Sequence, residues 1–138
     1  MSIRRIKNNK GFVILFAVTI ASILLSIALG VANIAVKEIK FGTSAKDTND
    51  AFFASDTGIE HALFNDKSSI SIYTPAPGTW AFTISGLGSA GQSCARVTVN
   101  KTAVPILTTI VSKGYNIGDA SCNSTNPNRI ERELRISY

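Results

Sequence analysis

The sequence predicts an α+β fold: one long N-terminal α-helix, half membrane-spanning and half amphipathic, packed on a small C-terminal antiparallel β-sheet of about four strands. Three observations carry this. Gly11 to Val36 are 26 consecutive residues without a charge, directly behind the basic decapeptide MSIRRIKNNK. From Lys37 to about Asp66 apolar residues recur at helical spacing. From Trp80 onward the period changes to two. With 138 residues the chain holds one modest domain beside the apolar segment, and a second catalytic domain has no room.

At about 1.5 Å per residue, the charge-free run covers roughly 39 Å as a helix, more than the roughly 30 Å hydrocarbon core of a bilayer. It is expected to enter a membrane, with residues 12–36 as the spanning part. A secretory signal peptide has an apolar region of only about 7 to 15 residues, so the run is too long for one. Arg4, Arg5, Lys7 and Lys10 hold the N-terminus on the cytoplasmic side by the positive-inside rule. Within the run Thr19, Ser22, Ser26, Gly30 and Asn33 follow at spacings of three or four and form one stripe. Small and hydroxyl residues on one face allow membrane helices to approach closely and exchange hydrogen bonds. The alternative is that the hydroxyls bond carbonyls of their own helix.

Past Val36 the composition shifts at Lys37-Glu38. Phe41, Ala45, Thr48, Phe52, Ile59 and Leu63 make an apolar stripe, with Lys40, Lys46, Asp47, Asp50 and Glu60 mostly off it, so residues 37–66 are expected to be an amphipathic helix. Gly42 and Gly58 each cost about 1 kcal/mol against alanine, which marks Gly42 as the place to bend. The region 67–138 then reads as a β domain. Thr74-Pro75-Ala76-Pro77-Gly78 is a turn, since each proline fixes φ and lacks a donor. Trp80, Phe82 and Ile84 alternate with Ala81, Thr83 and Ser85; Ala95, Val97 and Val99 alternate with Arg96, Thr98 and Asn100; Ile106 to Ser112 is rich in β-branched residues; Leu134, Ile136 and Tyr138 alternate with Glu133, Arg135 and Ser137. Four short strands separated by turns suggest a meander covered on one face by the amphipathic helix. Asn116 to Arg129 has loop composition.

The junction Lys10-Gly11-Phe12, followed by about 20 apolar residues and an amphipathic helix, resembles the class III signal peptide of type IV pilins and pseudopilins. The stretch Ala54-Ser55-Asp56-Thr57-Gly58-Ile59-Glu60-His61-Ala62-Leu63 resembles the A-x-(E/D)-x-G-(I/A)-E-x-A-L pattern of PilX-like minor pilins, so the resemblance covers about residues 7 to 64. It implies that a prepilin peptidase cuts after Gly11 and methylates the new N-terminus at Phe12, making residues 1–11 a leader. It further implies a structural subunit held in the cytoplasmic membrane as a single-pass protein. Other pilin subunits are the implied partners, in a homo- or hetero-oligomeric filament, and an extracellular pilus or the cell surface is the destination. Where most pilins carry a glutamate at the fifth mature position, this chain has Phe16. The usual glutamate is thought to meet a neighbour's charged N-terminal amine, so Phe16 points to a minor or initiating pilin. Alternatives are a pseudopilin of a type II secretion system and a single-pass surface binding module for adhesion or DNA capture.

The net charge of +5 comes from 14 basic against 9 acidic residues. Four of the basic residues lie in the leader, so the remainder is close to neutral and nucleic acid is an unlikely partner. In an oxidising compartment Cys94 and Cys122 are most simply a disulfide, closing a loop worth roughly 3 kcal/mol. No metal site or cofactor is expected, because His61 is the sole histidine and no Cys-x-x-Cys spacing exists. Nor is enzymatic activity: Glu60 and His61 point about 100° apart on a helix and cannot pair. Gly86-x-Gly88-x-x-Gly91 matches a dinucleotide-binding pattern, but a strand follows it and not a helix. Asn100-Lys101-Thr102 and Asn123-Ser124-Thr125 are glycosylation-type sequons.

Overall fold

The computed structural model describes residues 10–68, 71–74 and 76–138; residues 1–9, most of the expected leader, lie outside them. Among the described residues one long helix, α1 (Lys10–Lys67), precedes four strands, β1 (Gly78–Leu87), β2 (Ser93–Ala103), β3 (Ile106–Tyr115) and β4 (Glu131–Ser137). This is the expected α+β arrangement. The chain divides into two compact units, Met1–Gly42 and Thr43–Tyr138. In the first, every residue from 11 to 42 is exposed. The helix is uninterrupted through Gly42 and Gly58, so neither glycine ends it. A penalty of about 1 kcal/mol at one position is too small to break a helix this long.

In the second unit the strands pair in sequence order, β1-β2-β3-β4, all antiparallel. The meander follows from the sequence: short turns join neighbours, and alternation gives each strand one apolar face. Trp80, Val99, Ile110 and Ile136 form one cross-strand row, and Phe82, Val97, Ser112 and Leu134 the next. Ile59 and Ala62 of α1 join Tyr73, Ala95, Val97, Val99 and Ile110 in the core, with Trp80, Phe82, Leu134 and Ile136 packed around it. Each fully buried Val or Ile contributes about 1.5–3 kcal/mol.

The helix face turned to the sheet is not the stripe expected from the sequence. Ile59 and Leu63 do reach the core, but Phe52, in the same unit as the sheet, is 44% exposed. Ala51, Ala54, Ser55, Gly58 and Ala62 are buried beside Ile59. The reason is close approach. A Cβ on Gly114 would run into Ala51 O and Ser55 N, and a Cβ on Gly58 would strike Ser112 Oγ and sit 2.8 Å from Val97 Cγ2. Backbones this near leave room for alanine, serine and glycine, and aromatic rings are turned outward.

The remaining differences are at element ends. β1 reaches from Gly78 to Leu87 and β3 runs on to Tyr115 because Cys94 still pairs with Tyr115 across the ladder.

Candidate functional site

Taken by itself, the N-terminal unit holds the expected processing junction and packing stripe. α1 begins at Lys10, and Gly11 and Phe12 are exposed, Phe12 by 74%. The helix contains a stretch long and apolar enough to cross a membrane once, with none of that stretch buried. Thr19, Ser22, Ser26, Gly30 and Asn33 are all exposed. The three hydroxyls bond within their own helix: Thr19 Oγ1 donates to Phe16 O, Ser22 Oγ to Thr19 O, and Ser26 Oγ to Ser22 O, each at 2.8 Å. Of the two readings of the stripe, self-satisfaction therefore holds for the donors. Gly30 on this face borders open space, and a Cβ added there would meet nothing within 4 Å. Such a surface admits a neighbouring helix by shape, without needing its hydrogen bonds.

The second unit has three features that position surface residues. The first is an ionic hub at the C-terminal end of α1, which sequence reasoning missed. Asp66, whose side chain is 5% exposed, is ion-paired with Lys101 Nζ of β2. It also accepts from Tyr138 OH at 2.5 Å and from Ser71 Oγ at 2.9 Å. Burial opposes the charged carboxylate, but the bonds from Lys101, Tyr138 and Ser71 prevail and hold Asp66 below the usual carboxylate range. Tyr138 is pushed above its ordinary value, by burial first and then by the anion it donates to. Lys67 Nζ lies 4.1 Å from the Tyr138 ring centroid, adding a cation–π contact.

The second feature is the disulfide. Cys94 and Cys122 are bonded, with Cα atoms 5.8 Å apart, as expected. Both are fully buried. The loop between β3 and β4 is braced on this bond. Gly118 lies so near Cys94 that an added Cβ would sit 3.1 Å from the Cys94 Cβ, and Gly118 N donates to Gln92 O at 2.7 Å. Asp119 Oδ1 accepts from Asn123 N at 2.8 Å and Ser121 N at 3.0 Å, and with the Asn123 bond as the leading cause its carboxyl is lowered. Arg129 donates to Cys122 O at 2.6 Å and Ser124 O at 3.0 Å while stacking on Tyr115 at 3.6 Å.

The third is an open groove of about 630 Å³ between the flank of α1 and β1, with His61, Ile72, Tyr73, Trp80, Phe82 and Thr83 in its wall. His61 lies with its ring 5.3 Å from Phe82, its Nδ1 3.1 Å from Asn65 Nδ2. Glu60 is exposed on another face of the helix. The glycines of Gly86-x-Gly88-x-x-Gly91 all have positive φ and shape the β1–β2 hairpin, with Gly91 N donating to Gly88 O at 3.2 Å. A strand follows at Ser93, so this is turn chemistry.

No protein-family model, curated protein or solved structure matches the chain.

Proposed function

We propose that this chain is a structural subunit of a type IV pilus-like filament, a minor or initiating pilin that waits in the cytoplasmic membrane before assembly and ends at the cell surface. One observation carries the reading: a charge-free helix of 26 residues, exposed along its whole length, begins at a basic Lys10-Gly11-Phe12 junction. Exposed apolar surface of this extent is stable only in lipid or against other helices. In a filament neighbouring helices would replace lipid around Phe12 to Val36, with the small stripe as the side of closest approach. The Cys94–Cys122 bond supports residence of the folded domain in an oxidising compartment.

A pseudopilin of a secretion system shares each of these observations and is separated from a pilus subunit by its companion genes. A single-pass surface binding module does not call for cleavage at Gly11. Mass spectrometry of the native protein tests the choice. The expected product begins at Phe12 and carries one extra methyl group, and Gly11→Arg blocks its formation while the protein still inserts in the membrane. Efficient maturation of Gly11→Arg would sink the assignment.

A further inference from the structure

The β2–β3 hairpin ends in Ala103-Val104-Pro105-Ile106-Leu107, an apolar run with no charge. Its ladder pairs as far as Ala103 with Ile106, so Val104 and Pro105 are the turn itself. Val104 is 94% exposed and Ile106 87% exposed. Thr102 Oγ1 donates to Pro105 O at 2.6 Å and lies 3.3 Å from Leu107 O, bracing the turn from within. A braced knob has little conformational freedom left to lose on docking.

The same chain carries a receptor of matching character. β1 is an edge of the sheet, and its outward N–H and C=O groups can pair with a further extended segment. Edges are commonly guarded by charge, and β4, the opposite edge, has Glu131, Arg132, Glu133 and Arg135. β1 has no charge in its ten residues. Its pairing with β2 is regular from Gly78 to Ile84 and shifts register before Leu87, so the even part of the edge is the part that borders the apolar groove. A neutral hairpin docking at β4 would strip water from charged groups, whereas at β1 it would strip none.

We propose that the β2–β3 hairpin tip of one copy docks in the β1 groove of a second copy. Val104 and Ile106 would lie against Trp80, Phe82 and Ile72, with the hairpin backbone beside the β1 edge. Knob and groove are different surfaces, so the contact is head-to-tail and propagates as a row or ring of copies; a two-fold pair is not its product. A lipid surface is the competing occupant of the tip. The nearby cations that would hold anionic head groups are engaged, Lys101 on Asp66 and Lys67 over Tyr138. The proposal deepens the subunit reading and rests on it only for bringing copies side by side.

Disulfide trapping in the full chain, reconstituted in phosphatidylcholine vesicles, tests it. Ile106→Cys and Thr83→Cys both alter exposed positions. Mixed and oxidised, they should give a cross-variant dimer, and Val104→Asp should reduce it roughly tenfold. Dimers only between Ile106→Cys copies would mean a symmetric contact and overturn the proposal. Quenching of a fluorophore on Ile106→Cys by nitroxide-labelled lipid would put the tip in the bilayer and overturn it too. Absence of the cross-variant dimer while Ser26→Cys copies still trap each other would reject this contact and leave helix-mediated assembly standing. Absence of both would remove the two readings together.

Discussion

At the scale of single residues, two positions decide whether helix and sheet can meet. Gly58 and Gly114 let the backbones approach to a distance at which one added carbon has no place. Gly58→Ala is therefore expected to destabilise the folded domain by about 1–3 kcal/mol, the usual range for overpacking. Gly42→Ala, where an added carbon meets nothing within 4 Å, should leave the domain's melting temperature unchanged or raise it. Thermal unfolding in detergent, followed by near-ultraviolet circular dichroism, reads both, and a Gly58→Ala melt at or above wild type would refute the close approach. Asp66 gives a second prediction. Its folded pKa is lowered from an ordinary 3.8, so its contribution is fully present above that value and fades as pH falls through the folded one. Tyr138 is raised from an ordinary 10.0, so its contribution is present below that value and fades as pH rises through the folded one. Stability should hold a plateau between these limits, and Asp66→Asn should flatten its acid edge in urea titrations run across pH.

At the scale of elements, the long helix and the four strands were legible because each depends on local periodicity. Trp80 and Phe82 on β1, and Leu134 and Ile136 on β4, face the core as their alternation required. The helix face differs from the expected stripe at Phe52, because a periodicity argument ranks residues by hydrophobicity and the contact here selects by size. The Asp66 hub was not legible either: its partners Lys101 and Tyr138 stand 35 and 72 positions away, and no local pattern joins them. The hairpin tip did leave a signal, the uncharged run Ala103 to Leu107 centred on a proline. For the proposed processing junction at Gly11 and Phe12 the sequence supplies the whole argument, since the chemistry proposed there would belong to another protein. The pinned loop of residues 116–130 carries its own prediction. An unreduced, denatured sample should show no titratable thiol, and reduction should lower domain stability by roughly 3 kcal/mol. Two free thiols in the unreduced sample would contradict the bond.

At the scale of the whole molecule, the question is how one chain takes its place among many. In the proposed filament, Phe16 would forgo the attraction that a buried glutamate has for a neighbour's N-terminal amine, and a subunit with nothing above it would not miss that attraction. Quantitative proteomics of sheared filaments is expected to find this chain as a minority beside a glutamate-bearing major pilin, in short rows if the hairpin contact forms. Dominance of this chain would show instead that apolar helix packing suffices without the glutamate.

The order of the sheet has a consequence for how the domain comes into being. Each strand after β1 pairs with the strand made just before it, so no pairing has to span an intervening strand. Contacts between near neighbours in the chain close quickly, since little chain entropy is lost in each closure. β1, β2 and β3 can assemble while the last loop and β4 are still being added. These four strands can thus pair in the order in which they are synthesised, β4 joining a sheet already begun.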